Sequence, residues 1–261
     1  MSHVEPRHPV LAGAPLAAVV CQIKYEVRGA LADWKTATHV HQQLDPESYP
    51  KVEQISAGGI NVQFSPAQAP SISPQAPMTG WRFSSVQREW NVGLLPDSVS
   101  IETATAYTSW SPDFRERLER VVRAVAEVVE PSFEQRLGLR YINQVPCPQE
   151  ITPQNWSKYL AHGLTGPTRV GPFKGKLTSL FQQLHYSLEP TQDISANVLV
   201  GAGEDAHRQR QPWLMLDIDV YREGIRTFSV DGIRSTADTL ADLAYELFTN
   251  FVDRRYLESI Q

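Results

Sequence analysis

Asp217 and Asp219 stand two residues apart in WLMLDIDVY, and their spacing is the strongest chemical signal in the chain. On a strand, residues two apart share a face, here opposite Leu216, Ile218 and Val220. Two carboxylates held together can bind a divalent cation or divide acid and base duties. They are also what the solvated side of an antiparallel sheet looks like. His185, in the strand-like stretch Leu177 to Leu188, would approach them if the two strands pair. Arg136 and Arg140 share a face in RLGLRYINQV, with Tyr141 and Asn143 on the other. Either arginine could pair with Asp217 or Asp219 across a sheet, and Arg140 is also a candidate ligand-binding residue. A guanidinium fork donates two bonds at once to a carboxylate or a phosphate.

Other motifs carry less. His39 and His41 fall in a helical stretch, where residues two apart point about 200° from each other and cannot share a metal. The segment GPFKGKLT, with Gly171, Gly175 and Lys176, imitates a phosphate loop. Its spacer is one residue short, and Leu177 stands where Ser or Thr is required. ISAGG around Ser56 has Gln54 where a nucleophile elbow needs glycine. His207, Arg208 and Arg210 follow Glu204 and Asp205 and read as a mixed-charge connection. No motif names a cofactor, and none supplies a confident metal site.

These residues need strands and helices to hold them. The sequence predicts strands over Val19 to Val27, Trp81 to Val86, Trp90 to Leu95 and Ser98 to Thr103. Further strands are expected over Arg136 to Val145, Leu177 to Leu188, Ile194 to Val200 and Trp213 to Tyr221. Lys51 to Phe64 reads as two short strands about Gly58-Gly59. Leu31 to Leu44 reads as a modest helix, and Asn155 to His162 as a shorter one. Two long amphipathic helices are expected. One spans Ser111 to Glu130, with Ser111 as N-cap and Pro112 in the first turn. The other starts at Ser235, with Asp238 completing a capping box. Ser65 to Gly80 and Gly163 to Gly175 read as loops. The predicted class is α+β: antiparallel sheet with two long helices and a possible internal duplication. The halves would be 1–150, including the Pro/Ser-rich loop 65–80, and 151–261, or together one continuous domain.

With 261 residues, 41% hydrophobic and 20% charged, the chain is ordinary globular material. A net charge of −5 argues against a general nucleic-acid binder. Cys21 and Cys147 form no disulfide framework and no CxxC pair. The N-terminal stretch lacks the order of a signal peptide. A cytoplasmic protein without membrane attachment is therefore expected.

PLAAVVCQIKYEV near the N-terminus, WRFSS, SVSIET, SWSPDFRERLERVVRAVAEVV and RLGLRYIN in the middle, and LMLDIDVY with LADLAYELFTNFV near the end together resemble a sporadically distributed prokaryotic protein family of unknown function. The resemblance covers most of the chain outside the proline-rich stretch and the Gly163 to Gly175 region. It implies a prokaryotic cytoplasmic α+β protein in an accessory role and brings no catalytic residues. With no recognisable catalytic set, the leading expectation is a non-catalytic binding or accessory protein acting through a protein partner, as a monomer or a homo-oligomer. The alternative is a metal-dependent enzyme built on Asp217, Asp219 and His185. A nucleotide or nucleic-acid binder is the weaker third reading.

Overall fold

The computed structural model describes residues 11, 13–57, 60–65, 68–74, 78–104, 106–146, 153–169, 180–188, 193–205 and 211–261. The segment at 171–176 that imitates a phosphate loop, the basic group at 207–210, Cys147 and the start of the strand expected from Leu177 lie outside the described residues.

Nine strands form one antiparallel sheet. In chain order they are β1 (Leu16–Tyr25), β2 (Lys51–Ala57), β5 (Met78–Ser84), β6 (Trp90–Leu95), β7 (Ser98–Thr103), β8 (Phe133–Pro146), β9 (Leu180–Leu188), β10 (Ile194–Asp205) and β11 (Gln211–Thr227), and β3 (Ile60–Ser65) with β4 (Gln68–Pro74) makes a separate two-stranded ribbon. Across the large sheet the order is β2-β5-β6-β7-β1-β8-β11-β10-β9. Short hairpin connections build β5-β6-β7 and β10-β11, the geometry that antiparallel neighbours allow.

This sheet overturns the predicted class. The α+β architecture with two long amphipathic helices gives way to a fold that is mostly one broad antiparallel sheet, with few helices laid on it. Helices are contiguous and easy to see in a sequence, whereas strands were read too short. β8, β10 and β11 run for 14, 12 and 17 residues. The stretch 65–80, expected as a loop, contains β4 and the start of β5; only Ser71-Ile72-Ser73 carries the polar–apolar alternation of a strand, too short a run to stand out among the prolines. From the adjacent strands β1 and β8 the sheet builds outward in the same sense on both sides, β7-β6-β5-β2 on one and β11-β10-β9 on the other. Residues before 130 contribute β2-β5-β6-β7-β1, those after contribute β8-β11-β10-β9, and β8 pairs with both β1 and β11.

The helices are α1 (Trp34–Gln43), α2 (Arg115–Val128), the single turn α3 (Pro153–Trp156), α4 (Val230–Phe251) and α5 (Arg254–Ser259). The expected helix start at Ser111 is not formed. Ser111 is extended at φ −118°, ψ 134°, inside a wide turn over Trp110–Phe114, and regular helix begins at Arg115. The last helix starts five residues before the expected Ser235, where the Ser229 hydroxyl accepts from the Gly232 N–H at 3.3 Å. Asp238 has other work: it accepts a two-pronged bond from Arg115, at 2.7 and 3.0 Å, and one from the Trp110 indole at 2.9 Å. That cluster ties α2 to α4.

One face of the sheet is apolar and carries the helices. Val19, Cys21, Ile23, Phe83, Val92, Leu94, Val99, Ile101, Leu137, Leu139, Ile218 and Val220 are all buried there. Their alternation with polar neighbours is the two-residue period of a sheet with one covered side. His41 of α1 stacks on Phe83, and Phe114 packs on Trp90. α4 buries Ile233, Leu240, Ala244 and Phe248 over β8 and β11. No helix among the described residues is long and apolar enough to cross a membrane.

Candidate functional site

The opposite face gathers most of the residues that the sequence singled out. The register places His185, Asn197, Asp219 and Arg140 opposite one another in a single row across β9, β10, β11 and β8. Arg136 lies opposite Glu223, and Gly138 opposite Tyr221, on the same face. Lys24, Arg140, Gln144 and His185 are exposed, while Gln22, Arg136, Asn197, Asp219 and Tyr221 are half-buried.

Both aspartates are already matched by arginines. Arg140 donates from Nε and Nη2 to the two carboxylate oxygens of Asp217, at 2.8 and 2.5 Å. Asp217 is only 2% exposed, while the side chain of Arg140 is 45% exposed. The guanidinium therefore lies over the carboxylate and covers it. This bond holds the Arg140 guanidinium above its ordinary pKa, against the opposing effect of burial. Arg136 donates from Nη2 to Asp219 at 2.8 Å and lies 3.7 Å from Glu223. Burial pushes the Asp219 carboxyl above its usual range; Arg136 and Arg140 pull it back, and Asp217 pushes it further up.

Gly138 makes the second pair possible. Arg136 runs along β8, with its guanidinium 4.6 Å from the centre of the Tyr221 ring. A Cβ at position 138 would fall 2.4 Å from its Nη1. Glycine clears the path across the strand, and the Tyr221 ring supplies a cation–π bed. Neither Gly138 nor Tyr221 was singled out from sequence. The signal was present as a lone glycine inside the strand-like RLGLR, which marks close approach of another group.

His185 does not reach the aspartates. β10 separates β9 from β11, which sets its backbone about 10 Å from that of Asp219. Its Nδ1 instead meets Asn197 Oδ1 at 2.9 Å. His39 and His41 sit on α1 as expected of a helix, and His41 Nε2 meets the Tyr49 carbonyl at 2.7 Å. Tyr141, on the helix side of β8, meets the Tyr107 hydroxyl at 3.3 Å. Cys21 is buried in the core, and desolvation raises its thiol to about 12, far from a reactive thiolate. Among the described residues there is no group of three or more His, Cys, Asp or Glu placed to hold a metal ion.

Along the row of Phe181, Gly201 and Met215, at one end of β9, β10 and β11, the face turns apolar. Phe181 is 65% exposed, and Met215 and Trp213 lean toward Gly201, where a Cβ would lie 3.3 and 3.5 Å from them. The arrangement is a broad surface of arginine, tyrosine and paired charge bordered by aromatic and apolar side chains. What it can do chemically is present guanidinium donors and ring faces. Compared with known proteins, the chain matches no protein-family model, and no curated protein matches it.

Proposed function

We propose that this chain is a non-catalytic binding protein of a prokaryotic accessory system, acting through a protein partner that docks on the polar face of the sheet. The observation that carries this reading is the pairing of Asp217 with Arg140 and of Asp219 with Arg136. Carboxylates neutralised in this way are poor metal ligands and poor proton carriers, because each would first have to shed a cation. The same pairing leaves arginine and tyrosine as the outward chemistry, and those side chains concentrate binding energy at protein interfaces. The partner it suits carries carboxylates for the outer N–H donors of Arg140 and an apolar side chain for the Phe181 border. A place inside a prokaryotic cell is what the resemblance of RLGLRYIN and LMLDIDVY implies.

The competing reading is a metal-dependent enzyme using the Asp217 and Asp219 face. The two are separated by capture from the native host with three baits: the wild-type chain, Lys24→Glu with Tyr221→Ala on the polar face, and Arg120→Glu on the exposed side of α2. A partner retained by the first and third and lost from the second, with purified proteins reproducing the loss in calorimetry, supports docking here. Equal binding by all three baits refutes it. An activity of the purified chain that Asp217→Asn with Asp219→Asn abolishes at matched folded protein would return the enzyme reading.

A further inference from the structure

β9 is an edge strand, and its chemistry differs from that of the other edge. β2 at the far side carries Lys51 and Glu53, and Arg88 binds Glu53 there. Charges of that kind blunt an edge against further pairing. β9 reads LFQQLHYSL, nine residues without Asp, Glu, Lys, Arg, Pro or Gly. Among the described residues it pairs only with β10. Every second residue of such a strand turns its N–H and C=O away from its one neighbour.

We propose that β9 pairs antiparallel with β9 of a second copy of this chain, joining two nine-stranded sheets edge to edge about a two-fold axis through Leu184. An axis normal to the sheet keeps helices with helices and polar face with polar face. That requires directly opposed residues to be an even number apart in sequence, so the axis passes through a residue and not between two. Centred on Leu184, the register opposes residues 181–187 of the two copies. Leu184 meets its own copy and Gln182 meets Tyr186 on the helix side; Phe181 meets Ser187 and Gln183 meets His185 on the polar side. The strand carries no Asp, Glu, Lys or Arg, so no such charges oppose each other along it, a condition that an isologous interface must meet in both copies at once. The joined polar face would carry two Arg140 side chains seven strand spacings apart, roughly 34 Å. The proposal rests on β9 alone and does not depend on what docks on the polar face.

The test is sedimentation equilibrium on the full chain from 1 to 100 µM. The wild-type chain should sediment at twice 29.3 kDa. Gln183→Lys with His185→Lys places lysines directly opposite lysines across the axis and should weaken the dimer at least tenfold. Both side chains protrude from the polar face, so the fold should hold, checked by circular dichroism. Gln183→Glu with His185→Glu should do the same, and mixing the two variants should restore a dimer. A monomeric wild-type chain at 100 µM, or a dimer indifferent to both variants, overturns the proposal. A mixture no stronger than either variant alone also overturns it, because the register would be wrong.

Discussion

Arg140→Met should destabilise the protein by about 2–4 kcal/mol at pH 7, because it strips the cover from a buried carboxylate. Methionine keeps most of the apolar stem and removes the guanidinium alone. Asp217 is 2% exposed and accepts both of its side-chain bonds from Arg140. Two unit charges about 4 Å apart attract by roughly 4 kcal/mol at the effective dielectric near a protein surface. Arg140 is 45% exposed, so water screens part of that, and some water would reach Asp217 once the guanidinium is gone. Urea unfolding followed by tryptophan fluorescence should read the loss as a midpoint shift of about 1 M, for a slope of about 3 kcal/mol per M. The loss comes from a buried carboxylate left without its cation, so removing that charge as well should recover much of it. Arg140→Met with Asp217→Asn should be more stable at pH 7 than Arg140→Met alone. A cost under about 0.5 kcal/mol would refute the argument that Arg140 is committed to covering Asp217.

Gly138→Ala should cost about 1 kcal/mol in the same assay, since the new Cβ meets the movable end of Arg136 and the side chain can swing away. Its effect should largely vanish in an Asp219→Asn background, where Arg136 has already lost its partner; a full additive loss would break the link between Gly138 and that pair. Leu240→Ala, at a fully buried position of α4 facing the sheet, should cost about 2–5 kcal/mol. A surface-sized effect there would place the helix elsewhere. Burial raises the pKa of Glu134, with Arg222 opposing, so stability should fall as pH climbs from the ordinary carboxylate range through the raised value. Glu134→Gln should flatten that part of the urea-midpoint profile between pH 4 and 7; an identical slope would show that other groups set it, with Asp219 the first to examine.

How far the sequence could be read depended on whether a signal was local. Alternation in WLMLDIDVY put Asp217 and Asp219 on one face, and RLGLRYIN put Arg136 and Arg140 on one face. The joining of those two faces needed the adjacency of β8 and β11, which are separated by the 64 residues from 147 to 210. Nothing local specifies that adjacency, just as nothing local specifies that β10 keeps His185 from Asp219. The helix starts went wrong for a related reason. Ser111 and Ser235 are good capping residues by type, yet the wide turn at Trp110–Phe114 and the Arg115–Asp238 cluster follow from packing between α2 and α4. The overweighting of helix came from the same source, since a helical stripe is complete in one stretch while a sheet is complete only when distant strands meet. Gly138 is the instructive case between these limits. Its position inside a strand was visible, and its cost to the strand demanded a reason, but the reason is a side chain two residues away lying across it toward β11. A glycine whose local penalty has no local explanation therefore points to a contact, and here it points to the arginine that holds the second aspartate.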